Sequence, residues 1–171
     1  RVESVTVHNG GNAMTAAVNL KRLGVESYLV GKVGDDIFGK FLIKKLIEGG
    51  VSADGVKVDK MVQTSVSIVL LDKGERSFLH CVGTNAVFSE SDIDYDVIDE
   101  CDLVFVTGSF LMNKFDGKET ADFLKKCKEK GVTVSCDLNY RKKLWKWGKE
   151  PIEVMPEIAK YIDVMIANEE D

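Results

Sequence analysis

The hydrophobic positions in the first third of the chain alternate between helical spacing and short compact runs. Small and apolar residues recur at helical spacing over residues 12–23, and Gly24 follows as a stop signal. The apolar run at residues 28–30 is typical of a buried parallel strand. Helical spacing returns over residues 36–48, where Asp36 is placed to cap the helix. This order of elements predicts a parallel sheet with helices packed on it.

The middle of the chain has a different pattern, which predicts an antiparallel hairpin. Residues 64–71 and 76–82 are rich in β-forming side chains, and a turn-forming sequence at 72–75 separates them. A hairpin inserted into a parallel α/β chain often forms a separate flap or lid. Residues 2–8 also alternate, with Val5 and Val7 on one face, so they predict a short strand that could join the hairpin.

Strand and helix patterns alternate again after the hairpin. Strands are predicted at residues 103–106, 132–136 and 164–167, and helices at 117–130 and 151–161. The sequence contains no internal repeat, low-complexity tract or long linker. A length of 171 residues allows one α/β domain of ordinary size with a real core.

Composition and charge narrow the functional classes. The chain has 44% hydrophobic and 30% charged residues, as soluble globular proteins do. Its net charge of −5 argues against a general affinity for nucleic acid or anionic membrane, although a local basic pocket is compatible with it. No apolar run approaches the ~20 residues that span a bilayer, and no signal-peptide pattern opens the chain. We therefore expect a cytoplasmic protein. Because the chain begins at Arg1 rather than Met, we also expect an absent upstream segment.

The cysteines indicate a reducing environment. Four cysteines are widely scattered without a C-x-x-C pair, and the chain has only two histidines. This pattern favours reduced thiols over a disulfide framework or a zinc site. Cys127 lies on a helical stripe with Ala121 and Leu124, so it is interpreted as a core residue rather than a nucleophile.

Polar residues follow three of the predicted parallel strands. Ligands bind at the carboxyl ends of strands in such sheets, so these residues could converge on one crevice. Solvated loops are also polar, and position alone leaves both interpretations open. The residues are Gly108 and Ser109, then Asp137, Asn139 and Arg141, and finally Asn168, Glu169, Glu170 and Asp171.

Two glycine-rich segments precede predicted helices. At Gly10-Gly11-Asn12, missing Cβ atoms would let a ligand approach, and the Asn12 amide suits a sugar diol. A tight turn with Asn12 as a helix cap explains the same residues, and this alternative is favoured for the segment alone. The second segment, residues 31–39, matches neither G-x-G-x-x-G nor a P-loop, which disfavours a nicotinamide-dependent dehydrogenase.

Two other groups of residues have side chains that could take part in binding or catalysis. Residues 140–147 mix basic and aromatic side chains as single-strand binders do, but one short segment in an acidic chain favours a solvated turn with Trp145 packed inward. His80 shares a hairpin face with Phe78 and Arg76, and no Ser/His/Asp grouping supports hydrolase chemistry.

Three motifs together resemble the ribokinase-like (PfkB) carbohydrate kinases. The first joins residues 8–13, Leu23-Gly24 and the glycine-rich segment 31–39, in the order and spacing of the family's N-terminal signature. The second, residues 137–141 with Leu144-Trp145, is similar to the D-x-N-x-R…LW stretch of fructokinases and 2-keto-3-deoxygluconate kinases. The third, residues 168–171, resembles N-x-x-E with Asp in the last position, which keeps the charge but shortens the reach.

The resemblance implies a doubly wound α/β fold, with a mostly parallel sheet, helices on both faces and a small β-sheet lid. It assigns residues 9–57 and 86–171 to an α/β core whose C-terminal part is absent. Residues 1–8 and 58–85 are assigned to the lid, which allows a homodimer through the lid.

The resemblance also implies the site residues. Gly10, Gly11, Asn12, Asp137 and Asn139 would bind the sugar, with Arg141 holding the sugar or the transferring phosphoryl group. Asn85 and His80 would approach the sugar from the lid. Asn168 and Asp171 would position the Mg²⁺ and the triphosphate of ATP largely through water, with no direct metal ligand implied.

Two parts of the family pattern are expected outside this chain. A strand bearing G-x-x-x-x-D would precede Arg1, and the G-A-G-D segment with the general base would lie downstream of Asp171. We therefore expect the full-length protein to phosphorylate a sugar and this fragment alone to be inactive. A fructose-like hexose is the favoured substrate of the full-length protein. A 2-keto-3-deoxygluconate kinase, a nucleoside kinase and a non-catalytic sugar sensor are the alternatives.

Overall fold

The computed structural model describes residues 3–108, 112–115, 117–140 and 151–168. Helices and strands alternate as predicted, and three short 3₁₀ helices follow the hairpin at Gly83–Ala86, Glu90–Asp92 and Val97–Glu100. The helices are α1 (Asn12–Arg22), α2 (Ile37–Glu48), α3 (Lys118–Glu129) and α4 (Pro151–Ala159). The strands are β1 (Gly31–Gly34), β2 (Val56–Asp59), β3 (Val66–Asp72), β4 (Glu75–Cys81), β5 (Leu103–Thr107), β6 (Thr133–Asp137) and β7 (Val164–Ile166).

The strands form two parallel sheets and one antiparallel hairpin. Strand β6 lies between β5 and β7, and all three run parallel, with Asp137 opposite both Thr107 and Ile166. Strands β1 and β2 form a second parallel pair. Strands β3 and β4 pair only with each other in the described part of the chain, and we call them the lid hairpin. The predicted α/β fold with a small β-sheet is confirmed.

The larger core lies between the β5–β6–β7 sheet and helices α3 and α4. The charged helix α3 buries one stripe, because apolar or small residues three and four positions apart share a helix face. Leu124 and Cys127 of that stripe are 0% exposed, as is Val134 of β6. The prediction that Cys127 is a core residue is confirmed, and all four cysteines are free.

A smaller core joins helices α1 and α2. It contains Met14, Ala17, Val18, Leu46 and Val51. Helix α2 begins where the sequence predicts, because the carboxylate of Asp36 accepts a hydrogen bond from the backbone N–H of Gly39 at 2.8 Å. None of the helices in the described ranges is long and apolar enough to cross a bilayer.

The first strand lies three residues later than the sequence predicts. Residues 28–30 are half-buried and pack on the two cores through Leu29 and Val30, but the hydrogen-bonded strand is Gly31–Gly34. Its partner β2 was not predicted, and β2 spans the proposed domain boundary at residues 57 and 58. The apolar residues 28–30 therefore identify the part of the segment that packs on the cores. The position of the strand itself depends on hydrogen bonding to β2.

The strand predicted for residues 2–8 is not seen in the described residues 3–8. Val5 is 84% exposed and Val7 is 61% exposed, so neither side chain packs on a core. A strand is stabilised by hydrogen bonds to a neighbour, and no described strand pairs with this segment. The alternation of apolar and polar residues is therefore not sufficient to predict a strand in this segment.

The lid hairpin confirms the prediction for the middle of the chain. Seven residue pairs connect its strands, from Val66 opposite Cys81 to Asp72 opposite Glu75. The two turn residues, Lys73 and Gly74, have positive φ angles of 49° and 87°. Two residues with positive φ form the kind of tight turn whose twist matches a β-hairpin.

Candidate functional site

The carboxylate of Asp137 connects three separate parts of the chain. Its Oδ2 atom accepts a hydrogen bond from Nδ2 of Asn12 at 2.9 Å and another from the hydroxyl of Thr107 at 3.0 Å. Thr107 and Asp137 are paired as the last residues of β5 and β6. The start of helix α1 therefore meets the carboxyl ends of two parallel strands, where ligands bind in open α/β sheets.

Asn12 does not cap helix α1. The cap position is Gly11, whose φ of 89° places it in the left-handed region, and no side chain caps the helix there. The first helical hydrogen bond runs from the N–H of Thr15 to the carbonyl of Gly11 at 3.0 Å. The Asn12 side chain is instead directed to Asp137, so the alternative of Asn12 as a helix cap is wrong.

Open space adjoins the glycine turn that precedes Asn12. A Cβ atom added to Gly10 or Gly11 would meet no atom within 4 Å, and the same is true of Gly108 after β5. Gly11 and Gly108 also have positive φ, which other residues adopt at a cost. Gly10 has no such constraint. Its small size is therefore not required by contacts within the described protein.

Two asparagines follow the same edge of the sheet. Asn139 is half-buried two residues after Asp137, with a φ of 44° that Asn tolerates better than most residues. The backbone N–H of Leu138 donates to the carbonyl of Ile166 at 3.1 Å, which extends the contact between β6 and β7 beyond the paired strands. Asn168 is exposed two residues after β7. The sheet therefore carries Asn139 and Asn168 at the end that holds Asp137.

The lid residues predicted to approach the sugar lie together at the base of the lid hairpin. Nδ1 of His80 is hydrogen-bonded to the hydroxyl of Ser67 at 2.8 Å, and Nδ2 of Asn85 donates to the hydroxyl of Ser65 at 3.2 Å. The Ser65 hydroxyl in turn donates to the carbonyl of Cys81 at 3.3 Å. The hairpin pairing and these hydroxyls hold both side chains on one polar patch.

The second ring nitrogen of His80, Nε2, is buried and has no hydrogen-bond partner among the described residues. Burial lowers the pKa of His80 below its ordinary value of 6.5, which favours the neutral ring. A neutral imidazole can donate from one nitrogen and accept at the other. His80 thus has one ring nitrogen paired with Ser67 and one that is buried without a partner among the described residues.

Several predicted residues lie outside the described residues. They are Arg141, Asp171, Ser109, Glu169, Glu170 and Trp145. Within the described ranges, no group of three or more His, Cys, Asp and Glu side chains is arranged to hold a metal ion.

Sequence reasoning missed Thr107, Ser65 and Ser67. Thr107 directly follows the strand predicted at residues 103–106, and its hydroxyl lies at the same sheet edge as Asp137. The parallel register of β5 and β6 supplies the missing signal, but it is a property of the folded sheet. The serines lie opposite or beside His80 and Asn85, and strand pairing identifies Ser67 as the partner of His80.

Comparison with known proteins assigns the chain to a family. The sequence profile of the pfkB family carbohydrate kinases matches residues 1–171. The chain belongs to the pfkB family of carbohydrate kinases. The resemblance found in the sequence motifs is thereby confirmed.

Individual relatives of this pfkB chain agree with that assignment. It is 32% identical over 163 residues to a fructokinase from Vibrio alginolyticus, covering 95% of this chain and 53% of that protein. A 2-dehydro-3-deoxygluconokinase structure from Thermotoga maritima matches with a TM-score of 0.85 and 28% identity, covering 99% and 53%. A fructokinase structure from Xylella fastidiosa with bound ATP matches with a TM-score of 0.80 and 29% identity, and the match covers 91% of this chain and 49% of that one. The chain spans about half the length of the curated relatives it matches.

Proposed function

We propose that the full-length protein transfers a phosphoryl group from ATP to a hydroxyl of a small sugar, with a fructose-like hexose favoured. The observation that carries this proposal is the contact between Asn12 and Asp137 beside the open turn at Gly10. A pfkB chain that directs an amide and a carboxylate into open space at a sheet edge has the donors and acceptors that a polyol needs.

Positioning and electrostatics would supply most of the catalysis in such a kinase. Phosphoryl transfer requires little covalent chemistry from the protein, so a fixed acceptor hydroxyl and a neutralised triphosphate account for much of the rate. Asp137, Asn139 and Asn12 would hold the sugar. Arg141, Asn168 and Asp171 keep the roles that the family motif implies for the phosphates and for water-coordinated Mg²⁺. The bound ATP of the Xylella fructokinase supports ATP as the donor.

The lid hairpin would cover the sugar with its polar patch. Strand pairing places Ser67 and His80 on one hairpin face, and Asn85 follows the second strand. Closure of this face over the sugar would exclude water that otherwise accepts the phosphoryl group. The hydrogen bond between Ser67 and Nδ1 of His80 holds the ring on this face of the hairpin.

Exposed apolar side chains on the lid hairpin support a homodimer. Ile68, Leu70 and Leu79, on the face opposite the polar patch, are 54%, 48% and 60% exposed, and Leu71 and Phe78 on the polar-patch face are 72% and 62% exposed. Adjacent exposed apolar side chains favour association. Leu70→Lys should convert the dimer to a monomer in sedimentation velocity, whereas Leu23→Lys, at the end of helix α1 and also exposed to solvent, should not. A monomeric wild-type protein would rule this proposal out.

A substrate panel tests the proposed activity. The full-length protein is incubated with ATP, Mg²⁺ and either fructose, 2-keto-3-deoxygluconate or a nucleoside, and phosphorylated product is quantified. We expect the highest kcat/KM with fructose. The 2-dehydro-3-deoxygluconokinase structure covers 99% of this chain, which makes the keto-acid sugar the second candidate. Sugar binding without any product would instead identify a non-catalytic sensor. The proposed location of this activity is the cytoplasm.

A further inference from the structure

Both ends of the lid hairpin are attached to strand β1 by buried threonines. Thr64 is 2% exposed and Thr84 is 0% exposed. The hydroxyl of Thr64 accepts a hydrogen bond from the N–H of Gly34 at 2.9 Å, and the hydroxyl of Thr84 donates to the carbonyl of Lys32 at 2.8 Å. The N–H of Thr84 also donates to the carbonyl of Gln63 at 2.9 Å, which joins the two ends to each other.

The carboxylate of Asp36 binds the end of the hairpin that contains Thr64. Its Oδ1 accepts from the Thr64 hydroxyl at 2.8 Å, while its Oδ2 accepts from the Thr64 backbone N–H at 2.7 Å. The Oδ1 atom also accepts from the N–H of Gly39, which caps helix α2. One charged group therefore connects helix α2 to the hairpin, and the Thr64 hydroxyl extends the connection to Gly34 of strand β1. Hydrogen bonds to a charged acceptor are stronger than neutral ones.

The glycines around Asp36 allow these segments to approach closely. A Cβ atom on Gly34 would lie 2.6 Å from the carbonyl oxygen of Val62, and one on Gly39 would lie 2.1 Å from that of Gly34. A Cβ on Gly83, at the other end of the hairpin, would lie 2.5 Å from the carbonyl oxygen of Gln63. Such distances exclude any larger residue without a backbone shift. The glycine-rich segment that matches no phosphate-binding motif thus has a structural explanation.

We propose that Asp36 and Thr64 form a clamp that sets the position of the lid hairpin relative to the parallel sheet. The segment between Thr64 and Thr84 contains the whole hairpin together with His80, so the clamp determines where the polar patch lies. This inference rests on the proposed function in one respect: the patch is taken to close over a sugar held near Asp137. Asp36 and Thr64 are positioning residues, because neither is assigned a contact with the substrate.

The test replaces Thr64 by valine, which keeps the shape but removes the hydroxyl. The matched control is Thr120→Val in helix α3, because Thr120 is likewise buried, at 0% exposed, and its hydroxyl donates to the carbonyl of Phe115 at 2.6 Å. Asp36→Asn and its control Asp59→Asn form a second pair. Asp59 accepts from the N–H groups of Met61 and Val62 in a nearby turn, without binding Thr64.

Hydrogen–deuterium exchange of the full-length protein gives the first measurement. We expect Thr64→Val and Asp36→Asn to speed exchange in the peptides of β3 and β4 by about tenfold, with α3 unchanged. Thr120→Val should leave the hairpin peptides at the wild-type rate. Equal exchange in the hairpin of the Thr64 and Thr120 variants, or an increase spread evenly over the protein, would overturn the clamp.

Steady-state kinetics give the second measurement. The clamp variants should raise the sugar KM and the fraction of ATP hydrolysed without transfer, each by about tenfold, because a misplaced lid admits water. Control variants of similar thermal stability should change neither quantity. A wild-type sugar KM and a wild-type fraction of ATP hydrolysed without transfer in the clamp variants would overturn the positioning role. If the wild type phosphorylates no sugar but the exchange result holds, the clamp stands and the proposed function fails.

Discussion

The side-chain amide of Asn12 donates a 2.9 Å hydrogen bond to the carboxylate of Asp137, across 125 positions of sequence. The contact joins the first residue of helix α1 to the last residue of strand β6. It defines the point at which the glycine turn and the sheet edge meet, and the proposed sugar site is built around it.

Gly10→Ala tests whether a ligand occupies the open space beside the glycine turn. Because a Cβ at Gly10 meets no atom and its φ is not positive, the free energy of unfolding should change by less than ~0.5 kcal/mol. The sugar KM should rise about tenfold, since the methyl group would intrude on the ligand. Calorimetry and steady-state kinetics measure the two effects.

Gly31→Ala is the control for this prediction. Gly31 also has open space around its Cβ position and no positive φ, but it is the N-terminal residue of β1. The Gly31 variant should keep the wild-type sugar KM. An unchanged KM in the Gly10 variant would show that no ligand approaches that turn.

His80 should make the protein less stable in mild acid. Its pKa is lowered by burial, so the unfolded chain takes up a proton at a higher pH than the folded chain does. The stability contribution is full above the ordinary value of 6.5 and is lost as pH falls towards the folded pKa. Urea unfolding at about pH 7.5 and about pH 5.5 measures this loss.

His80→Gln removes the titrating group and should reduce the loss of stability on acidification. NMR titration of the His80 ring should give a pKa below 6.5. A pKa at or above that value would contradict the assigned burial of the ring.

Leu124→Ala should strongly destabilise the protein. Leu124 is 0% exposed in the larger core, so truncation removes apolar contacts and leaves a cavity. The expected decrease in the free energy of unfolding is about 2–5 kcal/mol. Leu103→Ala should cost far less, because Leu103 is 50% exposed. Similar losses in both variants would contradict the placement of the core.

Cys127 should be less reactive than the partly exposed Cys81. Burial raises its pKa to about 11, so little thiolate is present at neutral pH, and no reagent can reach a side chain that is 0% exposed. Alkylation of the native protein followed by mass spectrometry should label the partly exposed Cys81 before Cys127. Rapid labelling of Cys127 without unfolding would show that helix α3 is packed differently.

Elements that are specified by neighbouring residues, such as a helix cap or a tight turn, were predicted from the sequence. Elements that depend on hydrogen bonding between distant strands were not. Asp36 marked the start of α2 because a capping carboxylate acts within three residues. Lys73 and Gly74 marked the hairpin because turn geometry is set by adjacent residues. Strand β1 was misplaced because its residues, 31–34, carry little apolar character and are a strand only through β2.

The candidate site was predictable in outline but not in its contacts. Placing polar residues after parallel strands brought Asp137 and Asn168 to one sheet edge, since parallel strands end together. The partners of Asp137 could not be identified in this way. Thr107 depends on the register of β5 against β6, and the orientation of Asn12 depends on how α1 packs.

The most direct test of the account compares Asn12→Ala with Asn19→Ala in the full-length protein. Asn19 is exposed on the same helix, and the structure gives it no contact with Asp137. We expect Asn12→Ala to lower kcat/KM for sugar phosphorylation by about a hundredfold, because the amide that donates to Asp137 and would bind a sugar hydroxyl is removed. Asn19→Ala should retain wild-type activity. Equal activity of the two variants would contradict a sugar site at Asn12 and Asp137.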